Sequence, residues 1–428
     1  MADSIARSAP PANQVERFCI SVLDHILVMS ISGTGAHAKP TAHAVRWLMN
    51  DLRVEGFDAT ESAGWIDLGV SGEPPEFCLT SSVAQTRDGI DDVEEACRTL
   101  LGVIALLLPV WTAESEIAVH AGGIEADGRA HILVGPSGAG KSTLVAALAS
   151  RKAPVFGDET VLLDLDSLSV RGIARPMVLE PESAGFIPEL PNAPIGSAFL
   201  PISAVTSPAE ASPLGHIWFP RFDSAHSGAP TIRSLKPGQA LLRFARECVS
   251  ADVVEEQVLS RLLALLGSVP CSEIVHGDAD LAAIRLLDLA HSLVNELPAG
   301  APSVVPMSIP RTSEPTRPNC TRFAFATSIS ALLVGDELVL AQQSTRQVVV
   351  LNDDAAKLIQ GATPISVVPG TPASSLLEEL ETCGFARRVA EPGSGLIKRL
   401  GWLRMWAGWP TRWLRSRLKV VRLKATDS

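Results

Sequence analysis

Cysteine pairs are missing from this sequence of 428 residues. Its seven cysteines are scattered and odd in number, and no two of them form a C-x-x-C pair. This pattern excludes a disulfide scaffold and a zinc site built on cysteine pairs, and it indicates a reducing compartment.

Long hydrophobic runs are missing as well. The most apolar stretch, residues 100–111, has 12 residues, whereas a membrane-spanning helix needs about 20. Because Glu94 and Glu95 precede this stretch, we interpret it as a buried helix. No basic start leads into an apolar core at the N-terminus, so we expect no signal peptide and a cytoplasmic location.

Positive charge is scarce outside the C-terminal tail. Residues 397–428 contain nine lysines and arginines and one acid, so this tail carries +8 and the rest −19 of the formal net charge of −11. The acidic body argues against nucleic-acid binding. The tail also holds four of the eight tryptophans, and its amphipathic spacing predicts two helices separated by Pro410. Three interpretations stay open: residues 397–424 lie on the inner membrane surface, pack on the body as a helix, or form a disordered basic tail.

One motif dominates what the chain does contain. Residues 135–143 match G-x-x-x-x-G-K-[ST], between an apolar strand pattern at 131–134 and a helical pattern at 143–149. In such a loop, backbone N–H groups and the helix N-terminus surround phosphate oxygens, the lysine reaches the β- and γ-phosphates, and the Ser hydroxyl binds Mg²⁺. The predicted nucleotide-binding residues are Gly135, Pro136, Ser137, Gly138, Ala139, Gly140, Lys141, Ser142 and Thr143.

The segments around this loop predict the rest of the site. The Asp127-Gly128 pair between apolar runs at 116–124 and 130–134 predicts a hairpin, which would pair the loop's strand antiparallel with the strand before it. Asp158 and Glu159 follow a short strand soon after the loop, where a catalytic or Mg²⁺-binding acid is expected. A plain turn acid at 158 stays open, as does a purely structural role for His120. Arg221 and Arg246 are further candidates for contacts to phosphate, and for each the favoured alternative is a solvated or structural arginine.

Composition and pattern divide the chain into segments. At 46% hydrophobic residues and a mean hydropathy of +0.23, it can bury a sizeable core, and its length predicts two or three domains. Five prolines at 299–318 indicate a linker, and strands followed by helices beyond it indicate a compact second domain. We predict a disordered N-terminus at 1–15, a small α+β region at 16–112, a P-loop domain at 113–297, a linker at 298–320, a second α+β domain at 321–391 and the basic tail at 392–428.

The centre of the chain resembles the HPr kinase/phosphorylase superfamily. The matching parts are Val119-His120-Ala121, the hairpin, the P-loop and Gly157-Asp158-Glu159, in that order, with a further likeness at 214–221 and 235–244. This resemblance implies an α/β fold and a kinase that transfers the γ-phosphate of ATP to a serine hydroxyl. It also implies catalytic roles for Asp158, Lys141 and His120, and metal binding by Ser142, Asp158 and Glu159. The chain has Asp-Glu where the family usually has two aspartates, and the family's Glu-x-Arg-Gly segment is not recognisable.

Residues 323–388 resemble a PqqD-like domain, a winged-helix module that presents precursor peptides to modifying enzymes. The similar parts are the hairpin at 331–340 and the segments 349–356 and 376–385. Such a domain implies a peptide held by addition to a sheet edge. The expected substrate is therefore a ribosomally made peptide or small protein, with ATP and Mg²⁺ as cofactors. A nucleotide-gated peptide chaperone and a small-molecule kinase or ATPase stay open, as do the choice of ATP or GTP and a homo-oligomeric state.

Overall fold

The computed structural model describes most of the chain in segments. They are residues 14–22, 25–55, 62–72, 74–82, 87–111, 115–173, 175–179, 185, 199–207, 209–249, 253–293, 303–307, 321–325, 329–360, 365–367, 369–388 and 418–422. These residues form a mixed α/β structure with several sheets and eight α-helices. The predicted disordered N-terminus lies outside them up to residue 13, whereas Gln14 and Val15, which were also predicted to be disordered, begin a strand. Most of the predicted linker and tail lies outside them as well.

The chain divides into two compact units. Met1–Arg233, Glu247–Ala251 and Ser272–Leu297 form the first, and Ser234–Arg246, Asp252–Cys271 and Pro298–Ser428 form the second. The predicted domain boundaries remain predictions. Residues 234–246 and 252–271, which the sequence placed in the P-loop domain, here belong to the second unit.

The N-terminal part of the first unit is a six-stranded sheet with two helices. Its first two strands form a hairpin with Val22 opposite His25, and residues 100–111 are helical as predicted, with Leu100 and Ile104 fully buried. The strands are β1 (Gln14–Val22), β2 (His25–Gly33), β3 (Arg53–Val54), β4 (Gly64–Ser71), β5 (Glu76–Ser81) and β6 (Arg87–Ile90), in the order β3-β1-β2-β4-β5-β6, and the helices are α1 (Ala38–Leu48) and α2 (Val93–Trp111).

A nine-stranded sheet forms the centre of the first unit. Its main path has the order β10-β8-β9-β15-β12-β11-β7, and β17 extends it by pairing with β15 and β16. The strands are β7 (Glu116–Val119), β8 (Ala121–Ala126), β9 (Arg129–Val134), β10 (Val155–Gly157), β11 (Val161–Asp164), β12 (Ser169–Gly172), β15 (Ser212–Phe222), β16 (Thr231–Ser234) and β17 (Cys271–His276), and a separate pair is β13 (Met177–Val178) with β14 (Phe199–Leu200).

The antiparallel hairpin predicted before the phosphate loop is confirmed. Strands β8 and β9 pair from Ala121 opposite Val134 to Ala126 opposite Arg129. Asp127 and Gly128 both adopt positive φ, as a tight two-residue turn requires. The run at 116–124 is not one strand as predicted, because it breaks at His120 into β7 and β8.

Two helices of this unit pack around β8. They are α3 (Lys141–Ser150) and α6 (Ala279–Leu293), numbered in chain order with the helices of the second unit between them. A Cβ at Gly122 of β8 would lie 2.6 Å from the Val145 side chain, so this glycine lets α3 approach the sheet closely. The resulting core contains buried Leu144, Leu148 and Leu286.

An unusual buried stack joins β9 and β15. The His216 ring lies 3.7 Å from the Trp218 ring in a stacked arrangement, and Trp218 Nε1 donates to His131 Nδ1 over 3.4 Å. Burial lowers the pKa of His131 to about 4 and that of His216 to about 3. Both rings are therefore neutral in the folded protein at neutral pH.

This stack predicts a loss of stability in mild acid. Below pH 6.5 the unfolded chain binds protons at both histidines while the folded chain does not, so stability is present above pH 6.5 and lost as pH falls toward 4. Each histidine contributes about 1.4 kcal/mol of lost stability per pH unit in this window. In urea unfolding between pH 7 and 5, His216→Leu should flatten the slope, while His43→Leu at an exposed position should not. An equal slope in the wild type and His216→Leu would contradict this prediction.

The second unit is built on a five-stranded sheet. The predicted hairpin at 331–340 is confirmed, and helices follow its strands as the sequence predicts. The strands are β18 (Val304–Pro306), β20 (Ile329–Val334), β21 (Glu337–Gln342), β22 (Gln347–Leu351) and β25 (Leu418–Arg422), in the order β18-β20-β21-β22-β25. A second sheet of order β23-β19-β24 contains β19 (Thr321–Phe325), β23 (Ile365–Val367) and β24 (Ala386–Arg388), and the C-terminal helices are α7 (Asp353–Gln360) and α8 (Pro372–Thr382).

Two helices from the middle of the chain belong to this unit. The sequence predicts one helix over 239–266, but the structure has α4 (Pro237–Phe244) and α5 (Glu256–Ser268), which contact the five-stranded sheet. The buried carboxylate of Glu337 accepts the N–H of Gly238 over 2.8 Å. That bond satisfies an N–H at the start of α4, so the helix and the sheet are held together by polar as well as apolar contacts.

The predicted tail helix is wrong at residues 418–422. These residues form β25, antiparallel to β22 with Leu418 opposite Leu351 and Arg422 opposite Gln347. Alternating residues satisfy a strand as well as a helical spacing over five residues, and pairing with an open sheet edge decides between them. Within the predicted linker, Val304–Pro306 is likewise a strand. Among the described residues, none of the helices combines the length and apolar character needed to cross a bilayer.

Candidate active site

The phosphate loop joins the end of β9 to the start of α3. Gly138 has φ +80° and Gly140 has φ +90°, a region that glycine enters without steric cost. The N–H of Ala139 donates to the Pro136 carbonyl over 3.1 Å, which closes the turn. The helix then begins at Lys141, so its unpaired N–H groups and the positive end of its dipole meet at the loop.

Lys141 is buried inside this loop. Its Nζ donates to the carbonyl of Gly135 over 2.6 Å and to that of Pro136 over 3.2 Å. Burial lowers the pKa of Lys141, and the nearby carboxylates of Asp158 and Glu247 act in the opposite direction. The ammonium group is thus held at the loop among acidic side chains.

Asp158 is the buried acid of the site. It follows β10, which pairs with β8, so the sheet places it two strands from the phosphate loop. Only 5% of Asp158 is exposed, and its Oδ2 accepts the N–H of Val178 over 3.3 Å. Burial raises the pKa of Asp158 to about 6, against the opposing effect of the Arg175 guanidinium. A carboxyl group with this pKa can exchange protons near neutral pH.

Glu159 has a different environment from its neighbour. Its half-exposed carboxylate forms an ion pair with Arg175, which is itself buried. Its backbone carbonyl accepts the N–H of Ala121 over 3.0 Å, which ties it to the start of β8. Glu159 therefore faces the site with its charge already balanced.

His120 forms a pair with Glu247 that the sequence did not indicate. His120 Nδ1 lies 3.0 Å from Glu247 Oε2, and the backbone N–H of His120 donates to the Glu247 carbonyl over 2.7 Å. Residues 247–249 run beside the end of β7, where Cys248 and Val119 form an isolated antiparallel β-bridge through their backbones. Since a carboxylate only accepts hydrogen bonds, this pairing places the ring proton of His120 on Nδ1.

A single cavity of about 880 Å³ collects these groups. Of the predicted site residues, the ones that line it are Ser137, Gly138, Gly140, Lys141, Ser142, Thr143, Asp158, Glu159 and His120. The others, Gly135, Pro136 and Ala139, belong to the loop without lining the cavity. Arg221 is also not among the residues that line the cavity; it is exposed and lies 3.7 Å from Asp223. Arg246, also exposed, belongs to the second compact unit.

Several cavity residues were missed in the sequence. Arg98 reaches the cavity from α2, where Glu94 binds it over 2.9 Å and its guanidinium lies 5.1 Å from the centre of the Phe199 ring. Phe222 and His276 also line the cavity. No local motif marks these residues, because each comes from a different element and only the fold assembles them.

The oxygen donors suit a magnesium ion. Ser142, Asp158 and Glu159 line the same cavity, and hydroxyl and carboxylate oxygens are the ligands that Mg²⁺ takes. No group of three or more His, Cys, Asp or Glu side chains within the described segments could hold a metal by itself. A nucleotide-bound Mg²⁺ usually has one or two protein ligands and completes its shell with phosphate and water.

Comparisons with known proteins leave the family of the chain open. No protein-family model matches it. A search of curated proteins likewise finds no significant match.

Proposed function

We propose that this protein is an ATP- and Mg²⁺-dependent kinase, related to HPr kinases, that phosphorylates a serine hydroxyl of a ribosomally made peptide or small protein. The observation that carries the proposal is the buried Asp158, whose pKa is raised to about 6, in the same cavity as the Lys141 loop. A loop for a triphosphate and a buried base in one cavity are the two parts that phosphoryl transfer to a hydroxyl needs.

In the proposed reaction, the chain positions both substrates. The loop N–H groups and Lys141 hold the triphosphate. Ser142 together with Asp158 or Glu159 would hold Mg²⁺, and the ion would neutralise phosphate charge. Asp158 accepts the proton of the serine hydroxyl as its oxygen bonds to the γ-phosphorus. The bond from that phosphorus to the bridging oxygen breaks, and ADP leaves with the electron pair. His120, whose Nδ1–H is held by Glu247, leaves its unprotonated Nε2 as a hydrogen-bond acceptor at the cavity. Arg98 offers a cation to the transferred group.

The second unit supports a peptide as the acceptor. Its hairpin, third strand and two helices follow the order expected of a PqqD-like domain. The edge strands of its two sheets are β18, β25, β23 and β24, where an extended peptide could add as a strand. We therefore propose that this unit holds the peptide whose serine is phosphorylated.

Transfer of label from ATP to the peptides encoded next to this gene tests the proposal. The full chain is incubated with γ-labelled ATP, Mg²⁺ and each peptide, and the product is mapped by mass spectrometry. Phosphoserine on a peptide is the expected result. Binding of ATP and peptide without transfer would favour a chaperone, and hydrolysis that needs no peptide would favour an ATPase; either outcome overturns the kinase proposal.

A further inference from the structure

One wall of the cavity has no part in the transfer chemistry. It consists of the C-terminal residues of β15, which pairs with the phosphate-loop strand β9, and of β17, which pairs with β15. Phe222 ends β15 and His276 ends β17, and both line the cavity. In open α/β sheets, ligands bind outside the carboxyl ends of the strands.

Phe222 is a large apolar side chain that is exposed to solvent. It is 51% exposed, although large apolar residues elsewhere in the sheet are buried. Its N–H donates to the Ala139 carbonyl over 3.2 Å, and its Cβ lies 3.4 Å from the position that a Cβ on Gly140 would take. The phosphate loop therefore holds this aromatic ring at the cavity.

His276 lies against the same ring and is almost completely buried. Only 1% of it is exposed, and its ring meets that of Phe222 edge to face, with centroids 5.9 Å apart. Neither ring nitrogen has a partner of hydrogen-bond geometry among the described residues. Burial lowers the pKa of His276, while the nearby backbone and the charge of Asp278 act in the opposite direction. A neutral imidazole offers one donor and one acceptor, and leaving both unused in the interior costs free energy.

The surrounding charge excludes another phosphate at this wall. Helix α6 begins beside it, and Asp278 already accepts the N–H groups of Asp280 over 2.7 Å and Leu281 over 3.1 Å. The positive end of that helix is thus neutralised by a carboxylate. An uncharged ligand with an aromatic face and a hydrogen-bonding edge fits, whereas an anion does not.

We propose that Phe222 and His276 form the subsite for a purine base, with the Phe222 ring stacking on the base and His276 hydrogen-bonding its edge. The inference rests on the proposed nucleotide site, since the loop at Gly140 fixes where the phosphates lie. Stacking on an aromatic side chain favours the larger purine surface over a pyrimidine.

Calorimetric binding to the full chain tests this subsite. The probes are ATP, CTP and inorganic tripolyphosphate, each with Mg²⁺. We expect ATP to bind more tightly than CTP and tripolyphosphate, and Phe222→Ala to weaken ATP by about tenfold while tripolyphosphate affinity stays unchanged. His276→Phe should lower the preference for ATP in the same way. Ile284→Ala, at an exposed apolar position of α6 outside the cavity lining, is the matched control and should change nothing.

The outcomes separate this inference from the proposed function. Equal binding of ATP and tripolyphosphate by the wild type, or equal weakening of both by Phe222→Ala, overturns the base subsite. Selective ATP binding without formation of any phosphoserine supports the base subsite and contradicts the proposed kinase function. If none of the probes binds, the phosphate loop does not act as a nucleotide site and both proposals fail.

Discussion

Replacing Asp158 by asparagine is expected to lower phosphate transfer by about 10²- to 10⁴-fold, the usual contribution of a positioned general base. The amide keeps the shape of the side chain and can still accept the Val178 N–H, so ATP affinity should change little. The rate of the wild type should rise with pH through about 6 and then level off, because Asp158 acts only when ionised. The residual activity of Asp158→Asn should lack this rise. Rates of phosphopeptide formation between pH 5 and 8 provide the measurement.

The same substitution should stabilise the folded protein. The pKa of Asp158 is raised from 3.8 to about 6 on folding, so its favourable contribution is present below pH 3.8 and lost as pH rises through 6. At pH 7.5 the buried charge therefore costs up to about 3 kcal/mol, which the neutral amide avoids. A higher Tm together with lost transfer identifies Asp158 as a catalytic carboxylate, since replacing a merely structural carboxylate would lower the stability of the protein. Asp288→Asn, at an exposed position of α6, should alter neither property.

Replacing Lys141 by alanine is expected to reduce transfer by about 10²- to 10³-fold, a loss comparable with removal of one preorganised charge-stabilising donor. It should also weaken ATP binding, because the side chain is the cation of the phosphate loop. Lys141→Arg should lower phosphate transfer and ATP affinity as well. The two carbonyls at 2.6 and 3.2 Å surround a compact ammonium group, and a planar guanidinium does not fit the same space.

Lys39→Ala is the matched control for this variant, since Lys39 is an exposed lysine on α1. Calorimetry with ATP and the peptide assay give the two readouts. Normal transfer by Lys141→Ala would contradict the assignment of the loop. Lost ATP binding with a cooperative, wild-type-like unfolding transition would show that the loop has failed while the fold remains intact.

The parts of the site that could be predicted share one property: each is determined by residues close together in the sequence. The turn at Asp127-Gly128 needs positive φ at two adjacent residues, and the phosphate loop needs glycine where Gly138 and Gly140 have it. Both requirements can be recognised from a few neighbouring residues of the sequence. Asp158 was placed for the same reason, since it directly follows a short apolar strand.

The parts that were missed depend on residues far apart in the chain. Glu247 meets His120 across 127 positions, along a short edge bridge that carries no motif. Arg98 reaches the cavity from α2, and β25 exists only because β22 offers it an edge. The local spacing of apolar residues in the tail fits a helix, but pairing with β22 makes residues 418–422 a strand. Contacts of this kind follow from the assembled fold and not from pattern.

The placement of α4 and α5 has a consequence for biosynthesis. Their buried faces, which include Leu241, Phe244 and Leu262, pack within a unit whose strands β20 to β22 emerge some 60 to 110 residues later. At about 5 to 20 residues per second, these apolar faces stay uncovered on the ribosome for several seconds. A fragment ending at 297 would keep them uncovered permanently and should aggregate. The central segment and the C-terminal strands must therefore be made as one chain, and the proposed peptide-holding unit cannot be supplied as a separate piece.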